Sequence, residues 1–338
     1  MSESTLTLTK KDLASDQEVR WCPGCGDYAI LSAAQQVFAE LGIPRERFVV
    51  VSGIGCSSRF PYYMNTYGFH TVHGRAPSIA TGIKLTRPDL SVWIVTGDGD
   101  ALSIGGNHII HLMRRNLDVN VMLFDNRIYG LTKGQYSPTS ELGKTTKSSP
   151  YGSVDRPFNV LRLALGAGAT FVARSVDVYT SHLKQTLARA HGHRGTSFVQ
   201  IYQNCNIFND GAFEQVRDKG TRDDNVLHLE HGKPLVFGKN RDRGIRFTGC
   251  YQPEVVKLGN GVTEDDLLVH DEDGPLGYVI MLATMQPPEM PVPIGVLRRV
   301  ERPTLDAGVH EQIARVTEER GKGDLRSLLE SAGSWKVT

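Results

Sequence analysis

The chain has 338 residues, and its 38 Lys and Arg against 37 Asp and Glu give a formal net charge of +1. This length allows one large domain or two ordinary ones, with enough chain to bury a sizeable core. The balanced charge gives no electrostatic reason to expect binding to nucleic acid or to an anionic membrane surface, so we predict no partner of either kind.

The first twenty residues are too charged and too polar for a secretory signal. The longest apolar runs, at 49–51 and 121–124, are far too short to span a bilayer. We therefore expect a soluble, cytoplasmic protein. Five cysteines in such a chain argue against a disulfide framework and favour metal or redox chemistry.

Strands and helices alternate along the first two thirds of the sequence. Short apolar runs rich in β-branched residues predict five buried strands, at 48–55, 91–100, 119–126, 169–174 and 197–203. Helical patterns predict helices at 27–41, 76–86, 101–116 and 178–191. Continuous apolar strands of this kind are typical of a parallel sheet with helices on both faces. We predict a doubly wound, mostly parallel α/β fold, in which ligands bind at the carboxyl ends of the strands.

The composition changes after about residue 208. Residues 209–275 are rich in Asp, Gly, Lys and Arg, a proline-rich run follows at 285–295, and a polar helix pattern lies around 308–331. We therefore predict an N-terminal arm at 1–15, an α/β domain at 16–215 and an irregular C-terminal extension at 216–338.

A possible metal site lies between the second and third predicted strands. Gly97, Asp98 and Gly99 end one strand, and Asn126 follows the next after twenty-six intervening residues. A strand–helix–strand unit brings two neighbouring strand ends together, so Asp98 and Asn126 offer two oxygen ligands to one point. Mg²⁺ prefers such hard oxygen ligands and usually shares them with phosphate oxygens. A lone Gly-Asp-Gly is more often a tight turn, but the asparagine at this distance favours the metal site.

This spacing resembles the diphosphate-binding domain of thiamine diphosphate enzymes. The resemblance implies that Mg²⁺ is held by Asp98, by Asn126 and by the main-chain carbonyl of Ile128. Enzymes of this class also need a second α/β domain, which holds the pyrimidine ring of the cofactor. The extension at 216–338 is too short and irregular to be that domain, so we expect a partner subunit to supply it.

Cys22 and Cys25 form a Cys-x-x-Cys pair, which alone fits half of a zinc site, a redox disulfide or one side of an iron–sulfur cluster. Cys56 and Cys205 each follow a predicted strand, so the four thiols can converge beside the Asp98 edge. Structural zinc sites more often use two close pairs, whereas one pair and two distant cysteines fit a cluster better. Cys250 is expected to be a non-ligand thiol.

Several motifs together resemble the β subunit of 2-oxoacid:ferredoxin oxidoreductases, over roughly residues 15–215. They are WCPGCGD, GIGCSSR, HGRAPSIATGIKL, GDGDALSIGGNH and FDNRIYGLTKGQYSPT. The resemblance implies a 4Fe–4S cluster bound by Cys22, Cys25, Cys56 and Cys205. It also implies thiamine-dependent oxidative decarboxylation of a 2-oxoacid, transfer of the acyl group to coenzyme A, and release of single electrons through the cluster to ferredoxin. The expected partner is an α subunit carrying the pyrimidine-binding domain, in an α2β2 heterotetramer.

The same resemblance implies roles for individual residues. The expected cofactor-binding positions are Ile54, Gly55, Cys56, Ser57, His73, Gly74, Arg75, Ala76, Gly97, Gly99, Asp100, Gly130, Leu131, Thr132, Lys133, Gly134 and Gln135. The expected catalytic set is Arg59, His73, Leu131 and Lys133. Arg59 is expected to pair with the substrate carboxylate, His73 to donate to the diphosphate, and Lys133 to contact the anionic coenzyme A.

The segment Leu131-Thr132-Lys133-Gly134-Gln135 bears on the substrate. Pyruvate enzymes of the family tend to read Asn-Thr-Gly-Gly-Gln here, and the present form resembles the 2-oxoglutarate and broad-specificity branch. We predict 2-oxoglutarate as substrate and succinyl-CoA as product, with pyruvate or broad specificity as the alternative. Two less favoured alternatives are a non-oxidative thiamine enzyme, which would leave three cysteines without a role, and a zinc-stabilised interaction subunit.

Overall fold

The computed structural model describes residues 8–249, 252–335 and 337. Cys250, expected to be a non-ligand thiol, lies outside the described residues. The strands are β1 (Phe48–Ser52), β2 (Tyr67–His70), β3 (Ser91–Gly97), β4 (Asn120–Asp125), β5 (Phe171–Val176), β6 (Ser197–Tyr202), β7 (Val226–His228), β8 (Val236–Phe237), β9 (Arg243–Phe247), β10 (Pro253–Lys257) and β11 (Val292–Arg299). The helices are α1 (Asp27–Glu40), α2 (Phe60–Tyr63), α3 (Ala76–Thr86), α4 (Asp98–Leu102), α5 (Gly106–Arg115), α6 (Val160–Gly166), α7 (Thr180–His191), α8 (Glu214–Arg217), α9 (Arg222–Asn225), α10 (Leu276–Thr284), α11 (Leu305–Arg320) and α12 (Leu325–Glu330).

The main sheet has eight strands in the order β2-β1-β3-β4-β6-β5-β11-β7. From β2 to β5, all neighbouring strands are parallel. Alternate residues of β1 enter two separate hydrophobic cores: Val49 and Val51 pack on one face of the sheet, and Phe48 and Val50 on the other. Both faces are therefore covered, and the predicted doubly wound α/β fold is confirmed.

All five predicted strands are present, but four of them, β1, β3, β4 and β6, end one to three residues before their predicted ends. Gly53 to Gly55 form a loop after β1, and Asp98 already begins α4. The predicted helix at 101–116 is divided into α4 and α5. A Cβ on Gly105 would lie 2.4 Å from the Asp100 carbonyl oxygen, so the chain turns at a position where only glycine fits.

Two strands from the segment after residue 216 extend the main sheet. β11 pairs antiparallel with β5, and β7 pairs parallel with β11. The pairing of β11 was not predicted, because this strand begins inside the proline-rich run. Strands β8, β9 and β10 form a small antiparallel sheet of their own.

The longest of the described helices, α11, carries many charged residues and is mostly exposed. Within the residues that the structure describes, no helix has the length and apolar character needed to cross a membrane.

Candidate functional site

A cleft opens at the carboxyl ends of β1, β3 and β4. Many of the predicted site residues line it: Ile54, Gly55, Cys56, Ser57, His73, Gly97, Asp98, Gly99, Asp100, Asn126, Ile128, Gly130, Leu131 and Thr132. The other predicted residues lie outside this lining: Cys22, Cys25, Arg59, Gly74, Arg75, Ala76, Lys133, Gly134, Gln135 and Cys205. Asp27, Phe124 and Tyr129 also line the cleft but were not predicted.

Asp98 lies at the floor of the cleft, at the start of α4, and is only 3% exposed. Its Oδ2 accepts hydrogen bonds from the hydroxyls of Ser137 and Thr139, both at 2.6 Å. Burial, and after it the neighbouring carboxylate of Asp125, raises the pKa of Asp98 to about 7, although the two hydroxyls oppose this shift.

Asp98 and Asp125 form a buried pair of carboxylates. Thr139 Oγ1 lies between them, 2.6 Å from Asp98 Oδ2 and 3.0 Å from Asp125 Oδ1, and Gln200 Nε2 donates to Asp125 Oδ2 at 2.7 Å. Burial raises the pKa of Asp125 as well. Two adjacent carboxylates in such a place favour a cation or a proton, since each disfavours the ionised form of the other.

The chain after β4 folds tightly over this edge. Asn126 Oδ1 accepts a hydrogen bond from the backbone N–H of Ile128 at 3.2 Å, and Tyr129 Oη donates to the Gly99 carbonyl at 3.0 Å. A Cβ on Gly99 would lie 2.2 Å from the Tyr129 ring, so glycine is required there by close packing. Arg127 adopts a positive φ of 56°, which is uncommon for a residue other than glycine.

Three of the four cysteines lie close together beside the cleft, and Cys56 lines it. The position that a Cβ on Gly130 would take is 3.5 Å from Cys205 Sγ and 3.6 Å from Cys56 Sγ. Cys25 is half-buried near them, and burial, followed by the charge of Asp27, raises its pKa. The same two causes raise the pKa of Cys56 to about 12.

Cys22 is the exposed member of the set. Its carbonyl accepts a hydrogen bond from the Cys25 N–H at 3.0 Å, so the two residues form one tight turn before α1. The loop is held to the strand ends from two sides, because Trp21 Nε1 donates to the Cys56 carbonyl at 2.7 Å and Gln203 Nε2 donates to Cys25 Sγ at 3.2 Å.

In the described part of the chain, no group of three or more His, Cys, Asp or Glu is arranged to hold a single metal ion.

Asp27 is a site residue that the sequence reasoning did not single out. Its side chain is 1% exposed, it lines the cleft, and both of its oxygens lack a hydrogen-bond partner among the described residues. Burial raises its pKa to about 7, opposed by a contact with the Cys25 thiol. The only signal in the sequence was its place as the last residue of the WCPGCGD motif.

The loops that carry Ile54 and His73 meet at the side chain of Asp100. His73 Nδ1 lies 2.6 Å from Asp100 Oδ1, and the N–H of Ile54 donates to the same oxygen at 3.0 Å. Arg75 uses its guanidinium to donate to two backbone carbonyls, those of His73 and Ile104. Ala76 is fully buried at the start of α3.

Arg59 and the loop at 130–135 form the outer part of the site. Arg59 Nε donates to Tyr63 Oη at 2.8 Å, and the half-buried guanidinium has no salt bridge within the described residues. In the loop, Thr132 and Gln135 are joined by hydrogen bonds, Leu131 is 50% exposed, and Lys133 is exposed with a φ of 73°.

Comparison with known proteins gives concordant matches. Residues 53–201 match the family model of the thiamine pyrophosphate enzyme, C-terminal TPP binding domain. The 2-oxoglutarate oxidoreductase subunit KorB of Mycobacterium tuberculosis is 52% identical over 332 residues, which are 97% of this chain and 88% of that protein. The 2-oxoacid:ferredoxin oxidoreductase 1 β subunit of Aeropyrum pernix is 49% identical over 190 residues, 56% of this chain and 60% of that protein.

A solved structure is similar over almost the whole chain. It is the 2-oxoglutarate:ferredoxin oxidoreductase from Magnetococcus marinus, with 2-oxoglutarate, coenzyme A and succinyl-CoA bound. The TM-score is 0.75 at 33% sequence identity, and the match covers 98% of both chains.

The fold and the cleft at its strand ends define the diphosphate-binding domain of a thiamine diphosphate enzyme. Its similarity over the full length places the chain in a narrower group: it belongs to the family of 2-oxoacid:ferredoxin oxidoreductase β subunits. The predicted family, its 2-oxoglutarate branch and the assignment as an oxidoreductase subunit that needs partner subunits are therefore confirmed.

Proposed function

We propose that this subunit takes part in the oxidative decarboxylation of 2-oxoglutarate with coenzyme A, which yields succinyl-CoA and CO₂ and passes electrons through a 4Fe–4S cluster to ferredoxin. The observation that carries the proposal is that the two sets of expected ligands lie at the same edge of the sheet. Asp98 and Asn126 lie in the same cleft as Cys56, and the position of a Cβ on Gly130 is within 3.6 Å of both Cys56 Sγ and Cys205 Sγ.

The residues at the Asp98 edge fit Mg²⁺ and a diphosphate. Asp98 offers a carboxylate, Asn126 an amide oxygen and Ile128 a main-chain carbonyl, and hard oxygen ligands of this kind suit Mg²⁺. A divalent cation would also offset the repulsion between Asp98 and Asp125. Bound thiamine diphosphate would supply the electron sink that decarboxylation of a 2-oxoacid requires. The protein's part is to bind and orient this cofactor and to exclude water from it.

The four cysteines fit a 4Fe–4S cluster better than a single ion. Each thiolate of a cubane cluster binds a different iron, so the four sulfurs stand farther apart than the ligands of one zinc ion. This agrees with the position of Gly130, where a Cβ would lie 3.5 Å from Cys205 Sγ and 3.6 Å from Cys56 Sγ and where no side chain fills the space between them. The Gln203 amide that donates to Cys25 Sγ would help to set the reduction potential.

Arg59 and Lys133 are the cations that we assign to the substrates. The Arg59 guanidinium is oriented by Tyr63 and has no acidic partner in the described part of the chain, so it can pair with a carboxylate of the 2-oxoacid. Lys133 is exposed on the loop beside the cleft, where it can contact the phosphates of coenzyme A. Leu131, at the cleft, leaves apolar room for the longer substrate.

The proposed partners are an α subunit with the pyrimidine-binding domain, in an α2β2 assembly, and ferredoxin. Leu131, which lines the cleft, is 50% exposed. Val72, next to His73 in the chain, is 73% exposed, and Ile104, whose carbonyl accepts from Arg75, is 54% exposed. Exposed apolar side chains at a site of this kind favour an interaction surface. We also propose a cytoplasmic location, because thiols that hold such a cluster need a reducing compartment.

The test is a steady-state comparison of 2-oxoglutarate, pyruvate and branched-chain 2-oxoacids, using the complex of this subunit with its partner, coenzyme A and ferredoxin. We expect the largest kcat/KM for 2-oxoglutarate and no ferredoxin reduction without coenzyme A. A clear preference for pyruvate would refute the substrate while leaving the family intact. A protein with zinc and no iron would refute the redox role.

A further inference from the structure

Asp100 has both of its carboxylate oxygens occupied by donors from the protein. Oδ1 accepts from the N–H groups of Ile54 at 3.0 Å and Gly74 at 2.7 Å, and lies 2.6 Å from His73 Nδ1. Oδ2 accepts from Thr96 Oγ1 at 2.7 Å. The side chain is 1% exposed. Such a carboxylate has little capacity left for a ligand, and its negative charge would repel a diphosphate.

The three donors, and His73 beside them, belong to three different segments. Thr96 lies near the end of β3, Ile54 on the loop after β1, and His73 and Gly74 on the loop before α3. The loop after β1 packs directly against the Asp100 carboxylate, since a Cβ on Gly53 would lie 1.9 Å from Asp100 Oδ2. Asp100 is therefore the point at which the two loops are joined.

The loop after β1 serves two sites in the proposed function. Its residues Ile54 to Ser57 line the cofactor cleft. One of them, Cys56, is also an expected cluster ligand, and its sulfur and that of Cys205 both lie within 3.6 Å of the position that a Cβ on Gly130 would take. Any displacement of this loop therefore moves a cofactor contact and a cluster ligand together.

We propose that Asp100 is a positioning residue rather than a cofactor contact, and that it couples the binding of thiamine diphosphate to the placement of Cys56. It fixes the loop at 53–57 against the loop at 72–75. It also turns His73 so that Nδ1 faces Asp100 and Nε2 is left for the cleft. Hydrogen bonds to an ionised group are about twice as strong as those between neutral groups, so one carboxylate can hold both loops. The inference about cofactor and cluster rests on the proposed function, whereas the joining of the loops does not.

The test compares Asp100→Ala and Asp100→Asn with the matched controls Asp89→Ala and Asp89→Asn. Asp89 is exposed, and its side chain bonds only to Arg87 among the described residues. Amide hydrogen exchange is measured on the full-length, cofactor-free chain. The dissociation constant for thiamine diphosphate with Mg²⁺, the iron content and the Tm are then measured on the reconstituted protein.

For Asp100→Ala, we expect faster exchange in 53–57 and 72–75 together, with exchange in β4 and α5 unchanged. Affinity for thiamine diphosphate should fall at least about tenfold, and iron should fall with it, because several charge-assisted bonds are lost at once. Asp100→Asn keeps an acceptor oxygen, so it should restore part of the protection and part of both affinities. The Asp89 variants should match the wild type.

Unchanged exchange, or faster exchange in only one of the two loops, would overturn the joining role. Loss of cofactor affinity with unchanged exchange would instead make Asp100 a direct ligand. Faster exchange throughout the sheet with a large fall in Tm would reduce its role to general stability. If the wild type binds neither thiamine nor iron, the proposed function fails, and the exchange data still decide whether Asp100 joins the loops.

Discussion

Replacing Thr139 with valine tests the buried carboxylate pair at the floor of the cleft. Thr139 is 4% exposed, and its hydroxyl lies 2.6 Å from Asp98 Oδ2 and 3.0 Å from Asp125 Oδ1. Valine has nearly the same shape, so the change removes the hydroxyl without opening a cavity. Ser137 remains as the other hydroxyl donor to Asp98.

Loss of this hydroxyl should lower both the stability of the fold and its affinity for Mg²⁺. A hydrogen bond to a charged group contributes about 1.5–3 kcal/mol, so at a pH above 7, where Asp98 is mostly ionised, we expect the free energy of unfolding of Thr139→Val to fall by about 2 kcal/mol. Removal of a residue that orients a metal ligand typically costs about 10–100-fold in metal affinity. We therefore expect Mg²⁺ with thiamine diphosphate to bind at least about tenfold more weakly.

The assay is urea unfolding of the cofactor-free chain, together with titration of Mg²⁺ in the presence of thiamine diphosphate followed by intrinsic fluorescence. Thr86→Val is the matched control, because Thr86 is exposed on α3 and bonds only to backbone carbonyls of its own helix. If Thr139→Val binds Mg²⁺ as tightly as Thr86→Val does, Thr139 does not orient Asp98 as a metal ligand.

Two further predictions concern the cluster and the response to acid. Gly130→Ala places a methyl group 3.5 Å from Cys205 Sγ and 3.6 Å from Cys56 Sγ, which is an ordinary contact in the cluster-free fold, so we expect an unchanged Tm. The methyl group would occupy space that the cluster needs, so we expect less than half the iron of the control Gly82→Ala, whose added Cβ meets no atom within 4 Å. Equal iron in the two variants would contradict this prediction. Burial lowers the pKa of His182 to about 4 from 6.5, so its neutral form stabilises the fold fully above pH 6.5, and this contribution is lost as the pH falls toward 4. Between pH 7.5 and 5.5 the loss is about 1 kcal/mol, and urea unfolding of His182→Gln should show a smaller loss by that amount; an identical loss would refute the assignment.

The central strands of the sheet could be predicted because they are continuous apolar runs, and the burial of such runs does not depend on the conformation of the loops. It missed three strands of the main sheet, β2, β7 and β11, whose sequences lack a continuous apolar run of that length. β2 has all four residues exposed, and β11 contains Pro293 and a shift in register between Val296 and Arg298. Proline is rare inside strands, so a proline-rich run gives little indication of one.

Some residues of the candidate site could likewise be predicted from the sequence, and others could not. The ligands Asp98 and Asn126 could be predicted because they follow apolar strands, and strand ends of a parallel sheet meet at one edge. Ser137 and Thr139 lie 39 and 41 residues after Asp98, and only the folded loop brings their hydroxyls to it. Asp27 was missed because an acidic residue in the first turn of a helix is ordinary there, and its burial depends on packing from distant segments.

The most direct measurement is the iron, acid-labile sulfide and zinc content of the anaerobically purified full-length chain, measured beside a variant in which Cys205 is replaced by serine. We expect about four iron and about four sulfide per wild-type chain, no zinc, and loss of the iron in the variant. A wild-type chain that holds zinc and no iron, or a Cys205→Ser variant that keeps its full iron content, would contradict a 4Fe–4S cluster bound by these cysteines.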